Sequence, residues 1–204
     1  MDKGIRNTLF WTLGFVALVL ILFVSSFVGS RQLTEEQLRE LGYFNLPEAQ
    51  ALEEFSLVNS EGNEVGLESL KGQWSLLFFG FTHCPDVCPT TLSVLNRAVN
   101  QMDNSPQVVM VSVDPDRDTP ELMGQYVQGF NPNFVGYTGT FDETVNLADQ
   151  VNIGFAKMPG DEPGTYLVEH STSIVVVDDK ANYKGFIKPP HQSEDIASIV
   201  TAIR

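Results

Sequence analysis

An apolar run, a pair of cysteines and a helical pattern follow one another without a break. Trp74-Ser-Leu-Leu-Phe-Phe79 is nearly continuous in apolar side chains, as expected of a central strand covered on both faces. Gly80-Phe-Thr-His-Cys84-Pro-Asp-Val-Cys88-Pro comes next. Leu92, Leu95, Val99 and Met102 then fall at i, i+3, i+7 and i+10, one face of a helix. The only two cysteines of the chain are therefore held at a strand–helix junction. Functional sites in α/β sheets collect at such strand ends. A helix N-terminus also favours thiolate over thiol, because its unpaired N–H groups attract negative charge. Two thiolates four residues apart make a soft metal clamp, a disulfide, or both in turn.

The remaining pattern builds an α/β fold around that junction. Phe55 to Leu67 alternates about the turn Ser60-Glu-Gly-Asn63 and reads as a hairpin. Val108 to Val113 is a second buried strand. Asp118-Thr-Pro-Glu121 opens a helix, with Asp118 as the capping carboxylate and Leu122, Tyr126 and Phe130 as its stripe. Phe134 to Tyr137 reads as a short strand, and Phe141, Val145 and Ala148 as a helix. Tyr166 to Val168 and Ser173 to Val177 bracket His170, Tyr183 to Ile187 pairs back as a hairpin, and Ile196, Ile199, Val200 and Ile203 mark a terminal helix. A hairpin, then β-α-β-α-(β)-α, then β-β-α gives a mostly parallel sheet covered on both faces, to which the final hairpin adds antiparallel strands. This is a thioredoxin-like pattern with an N-terminal hairpin, over residues 51–204.

Residues 1–30 belong to something else. No charge interrupts the 24 residues from Asn7 to Ser30, enough to cross a bilayer core of ~30 Å at ~1.5 Å per residue. Lys3 and Arg6 precede the stretch, which places the N-terminus in the cytoplasm and the bulk of the chain on the extracytoplasmic, periplasmic side. The expectation is a single transmembrane anchor, followed by a helix-prone tether over 31–50. A cleaved signal peptide is the rival, disfavoured because its apolar region is usually only ~7–15 residues. Asp2, Lys3 and Arg6 leave the first 28 residues at +1, so the remainder carries −15 of the net −14. So acidic a domain is a poor partner for nucleic acid.

The three-residue loop between the cysteines closes too little chain for a stabilising disulfide to explain the pair. His170 lies just before the strand Ser173 to Val177. If that strand neighbours Trp74 to Phe79, its leading loop faces the cysteine loop. Two thiolates and one imidazole suit copper, whereas structural zinc prefers four protein ligands. A hydrogen-bonded loop histidine is the alternative for His170. His83, beside Cys84, is expected to point elsewhere, His191 to be solvated, and Met158 to fill a core gap. Asp114, Asp116 and Asp118 read as a structural turn partly neutralised by Arg117. Asp86, between the cysteines, is a candidate for tuning their ionisation.

Three segments resemble the signatures of the Sco/SenC family: Gly80-Phe-Thr-His-Cys-Pro-Asp-Val-Cys-Pro-Thr-Thr-Leu92, Ser112-Val-Asp-Pro-Asp-Arg-Asp-Thr-Pro-Glu121 and Glu169-His-Ser-Thr-Ser173. That family comprises membrane-anchored, thioredoxin-fold copper proteins that help assemble the CuA centre of cytochrome c oxidase. The resemblance covers Ala51 to Arg204. It implies ligation of Cu(I) or Cu(II) by Cys84, Cys88 and His170, and a supporting role for Asp114 at the site or its docking surface. It also implies oxidase subunit II as client and an upstream copper donor or thiol reductant as a second partner. Three other readings stand beside it: a thiol–disulfide reductase using a redox-active Cys84–Cys88 pair, a copper or redox sensor, and, more weakly, a peroxide reductase. Thioredoxin-like reductases normally carry a proline where this chain has Glu169-His170-Ser171-Thr172.

Overall fold

A computed structural model describes residues 3–28, 33–160 and 165–204. The chain divides into two compact units, Met1–Leu33 and Thr34–Arg204. In the first, α1 spans Lys3–Val28, and Phe10, Trp11 and Phe15 on it are exposed. Among the described residues no helix is long and apolar enough to cross a membrane. The uncharged stretch expected as an anchor runs on to Ser30, outside the described residues.

The second unit opens on a short helix, α2 (Glu35–Glu40), whose Thr34 and Gln37 form a reciprocal capping box. The expected helix-prone tether stops there. Tyr43–Ala51 is instead a strand, β1, pairing antiparallel with β10 (Asn182–Ile187). Tyr43 and Leu52 are buried and anchor it. Its register shifts between Asn45 and Gln50, a stretch that contains Pro47. A residue with no N–H to give is tolerated at such an irregular sheet edge.

The remaining strands are β2 (Leu57–Asn59), β3 (Glu64–Val65), β4 (Ser75–Gly80), β5 (Gln107–Ser112), β6 (Val135–Thr138), β7 (Phe155–Pro159), β8 (Tyr166–His170) and β9 (Ile174–Val177). The main sheet has the order β1-β10-β9-β4-β5-β6-β2-β3. Among the described residues only β4, β5 and β6 run parallel. The other neighbours pair antiparallel, β9 on β4 with Phe78 opposite Ile174. The sheet is therefore mostly antiparallel rather than mostly parallel, because the hairpin strands at both edges outnumber the crossover strands. All six residues of β4 are buried, as the apolar run predicts for the middle of a covered sheet. Truncating Phe79, which is fully buried, to alanine costs about 3–5 kcal/mol. The expected hairpin is β2–β3, with Leu57 opposite Val65.

The helices are α3 (Val87–Val99), α4 (Pro120–Gln128), α5 (Phe141–Gln150) and α6 (Ser193–Ile203). Leu92, Leu95 and Val99 bury the expected face of α3. α4 sits in a different phase from the expected one: Met123 and Val127 enter the core, while Tyr126 and Phe130 are only partly buried. α5 likewise buries Thr144, Leu147 and Ala148 and leaves Phe141 exposed. β7 has no counterpart in the sequence pattern. It pairs with β8 as a separate two-stranded ribbon, Phe155 opposite His170 and Pro159 opposite Tyr166.

Candidate metal centre

β4 ends at Gly80, and the chain turns at once, the Cys84 N–H donating to the Phe81 carbonyl at 3.2 Å. α3 begins at Val87, so Cys84 lies before the helix and Cys88 in its first turn. The sulfurs converge through this turn rather than by sharing a helical face. Asp86 occupies the cap position, but its side chain makes no capping bond. The Cys84 sulfur takes that role, accepting the Cys88 N–H at 3.4 Å. Both thiols are free and buried, Cys88 completely. Gly80 makes room for it: a Cβ there would stand 2.9 Å from Cys88 Sγ.

Asp118 holds this turn from behind. It is buried and accepts the Thr82 hydroxyl and the Ser112 hydroxyl, each at 2.6 Å, together with the Thr82 N–H. The expected capping role falls to Thr119 instead, whose hydroxyl accepts the Leu122 N–H at 3.3 Å. A threonine directly before Pro120 serves the helix, which leaves the neighbouring carboxylate free to turn inward.

The antiparallel pairing of β9 with β4 brings the end of β8 to the end of β4, as the sequence argument requires. His170 Nε2 lies 3.6 Å from Cys88 Sγ, and its Nδ1 lies 3.0 Å from the Ser171 carbonyl. A carbonyl only accepts, so Nδ1 carries the ring proton and Nε2 turns a bare lone pair to the sulfurs. Phe81 and Phe78 meet the imidazole edge-on at 5.8 and 6.0 Å. The ligand atoms of Cys84, Cys88 and His170 all lie within 4.8 Å of one another. Bonds of about 2.0–2.3 Å in a trigonal plane would hold such atoms about 3.5–4 Å apart, so a small contraction seats an ion. Among the described residues this is the one His, Cys, Asp and Glu group of three or more that fits a metal.

The two thiols differ electrostatically. Hydrogen bonds from the Cys88 thiol and from the N–H groups of Cys88 and Asp86 lower the Cys84 pKa, against burial that raises it. Sharing its proton with Cys84, together with burial, raises that of Cys88. The shared proton thus favours Cys88, and the thiolate character of the pair falls on Cys84.

Asp114 does not reach the sulfurs. It is fully buried, ion-paired with Arg117 Nε, and accepts the Tyr166 hydroxyl at 2.8 Å. The Arg117 guanidinium lies 4.0 Å above the Tyr166 ring, and Lys157, paired with Asp116, stands 4.8 Å from the same ring. Asp114 therefore fastens the start of β8, the strand that ends in His170. Asp86 acts on Cys84 through its backbone N–H; its side chain is exposed. His83 is half exposed and bonds Thr82 Oγ1 at 3.0 Å, outside the ligand set. His191 is not freely solvated: its Nε2 lies 2.9 Å from the Thr172 carbonyl and the residue is half-buried. Met158 fills no core gap and stands exposed on β7. Gly80, Tyr166 and Lys157 complete the site's support without having been singled out as support in the sequence reading. Only the apposition of β8 with the Asp114 turn reveals the last two.

The pattern of the SCO1/SenC family matches residues 45–204. The mitochondrial SCO2 homologue of Bos taurus is 34% identical over 152 residues, 72% of this chain and 57% of that protein. The chain thus spans little more than half of that relative. The crystal structure of Arabidopsis thaliana ScoI with copper bound superposes with a TM-score of 0.70 at 33% identity, covering 74% of this chain and 97% of that one. Apo Sco1 of Thermus thermophilus gives a TM-score of 0.72 at 32% identity, covering 79% of this chain and 96% of that one. With the match running through the whole of the cysteine turn, the Asp114 turn and the His170 ribbon, the chain belongs to the SCO1/SenC family.

Proposed function

We propose that this protein carries copper, held by Cys84 Sγ, Cys88 Sγ and His170 Nε2, and passes it to the CuA centre of cytochrome c oxidase during assembly. The convergence of two free thiols and one correctly tautomerised imidazole within 4.8 Å supports this reading most strongly. Two thiolates and an imidazole are soft donors suited to copper. Three ligands leave a side open, so an ion moves to a partner with more soft donors by ligand exchange, never free in solution. The uncharged Asn7–Ser30 stretch would anchor the carrier, with the copper domain on the extracytoplasmic side. A reporter fused after Arg204 is then active only outside the cytoplasm.

The test of delivery mixes the copper-loaded, reduced protein with pre-reduced, metal-free oxidase subunit II and no other reductant. Copper should leave this protein and appear on subunit II in equal measure, and one-electron oxidation of the separated subunit II with ferricyanide should then develop the CuA absorption. The depressed Cys84 pKa favours one second reading, reduction of subunit II. In that reaction the Cys84 thiolate attacks the client disulfide, and Cys88 resolves the mixed disulfide as its thiol proton is released. The client gains two electrons from the dithiol and two protons, one from Cys88 and one from solvent. If reduced subunit II takes up no copper while the metal-free dithiol readily reduces oxidised subunit II, the carrier reading fails and the reductase replaces it.

A further inference from the structure

His191 lies outside the ligand set but is tied to it through the chain. Its Nε2 is 2.9 Å from the Thr172 carbonyl. That oxygen can only accept, so Nε2 carries the proton. Its Nδ1 is buried and has no partner among the described residues. Burial lowers the pKa of the ring, which keeps it neutral with a single N–H. The whole donor capacity of this imidazole is thus spent on one carbonyl, 19 residues away.

That carbonyl sits in the connector Ser171–Ser173, between β8 and β9. One residue earlier, the Ser171 carbonyl accepts Nδ1–H of His170 at 3.0 Å, and the Ser171 N–H donates to the Gly154 carbonyl at 2.9 Å. Two successive carbonyls therefore have two histidines as donors, one inside the metal site and one behind it. If the Thr172 peptide turned away, the Ser171 carbonyl would lose its restraint, and with it the bond that sets the His170 tautomer. We infer that His191 is a positioning residue for the metal ligand, its Nε2–H fixing the connector that turns His170 Nε2 toward the sulfurs. This rests on Cys84, Cys88 and His170 being the ligand set. Groups that orient a ligating histidine typically change metal affinity about 10–100-fold when removed.

The test uses the purified full chain and two substitutions. His191→Phe keeps an aromatic ring and removes the donor, whereas His191→Gln keeps an N–H at similar reach. In the metal-free protein, nitrogen-15 NMR of the His170 ring should show a single Nδ1-protonated tautomer in the wild type and in H191Q, and a tautomer mixture in H191F. Under competition, Cu(II) affinity should fall about 10–100-fold in H191F, with an altered Cu(II) EPR spectrum, and stay near wild type in H191Q. An unchanged tautomer and affinity in H191F overturn the inference. So does an H191Q that loses as much as H191F, since packing would then be the role of the ring. If H191F does not fold, the wild type still decides: rapid solvent exchange of the His191 Nε2 proton overturns the assignment, and a protected proton upholds it. The metal-free measurement stands even if the protein delivers no copper to an oxidase.

Discussion

Cys84 and Cys88 are separated by three residues but face different surroundings. Cys84 accepts the Cys88 N–H and the Cys88 thiol proton at the mouth of the site, while Cys88 is sealed beneath it against Gly80. A depressed pKa means that the thiolate persists to lower pH. An ordinary cysteine loses reactivity about tenfold per pH unit below ~8.5. Iodoacetamide should therefore modify Cys84 at a rate that stays nearly flat from pH 8 down to pH 6, with Cys88 at least about tenfold slower. Mass spectrometry of the peptide spanning both cysteines reads the order directly. Equal labelling of both, with the pH profile of a free thiol, would remove the asymmetry. Ligand removal probes the same residues. Cys84→Ser or Cys88→Ser should abolish tight copper binding in either oxidation state. His170→Ala should weaken Cu(II) far more than Cu(I), because two thiolates alone can hold the softer ion. Copper retained at wild-type strength by either serine variant sinks the ligand assignment.

The β7–β8 ribbon is the element on which the imidazole depends. It stands apart from the main sheet, and the cluster of Asp114, Arg117, Tyr166 and Lys157 fastens its far end. Tyr166→Phe removes one donor from a buried carboxylate, which costs about 1–3 kcal/mol. Hydrogen exchange should quicken along β7 and β8 and leave β4 and β5 unchanged, and Cu(II) affinity should fall with it. Unaltered exchange in the ribbon would show that the cluster does not hold it. This element is also where the sequence was least legible. β4 announces itself as a block of apolar residues, and α3 by its spacing. β7 reads Phe-Ala-Lys-Met-Pro, with all but Phe155 exposed, so no periodicity betrays a strand paired on one side only. Tyr43–Ala51 was hidden for a related reason: as an edge strand it buries Tyr43 and leaves most of the rest to solvent, a pattern indistinguishable from a polar tether. Asp118 looked like a cap because local spacing cannot tell which of two adjacent oxygen-bearing residues faces the helix. The grouping of Cys84, Cys88 and His170 was legible, since two cysteines at a strand end and a histidine before a neighbouring strand need only the strand order to meet.

Taken as a whole, the molecule brings the proposed ligands from two places far apart in the chain: the junction of β4 with α3, and the junction of β8 with β9, 82 residues later. An ion bridging them closes a long loop and joins the separate ribbon to the main sheet. Binding that favours the folded over the unfolded chain stabilises it by RT ln(1 + [L]/Kd), about 2.7 kcal/mol at 100 times Kd, less whatever the free thiols of the unfolded chain recover. For a domain of this size each kcal/mol shifts the melting temperature by roughly 2–4 °C. Copper loading of the reduced protein should thus raise Tm by about 5–10 °C. His170→Ala should forfeit much of the gain for Cu(II), since the ion would then touch only the cysteine turn. Oxidation to the Cys84–Cys88 disulfide should cancel it entirely, because both thiolates are consumed, and reduction should restore it. Melting curves of the reduced, oxidised and re-reduced protein, each with and without copper, decide the matter. A Tm that rises equally in the disulfide form would place the copper somewhere other than between these two junctions.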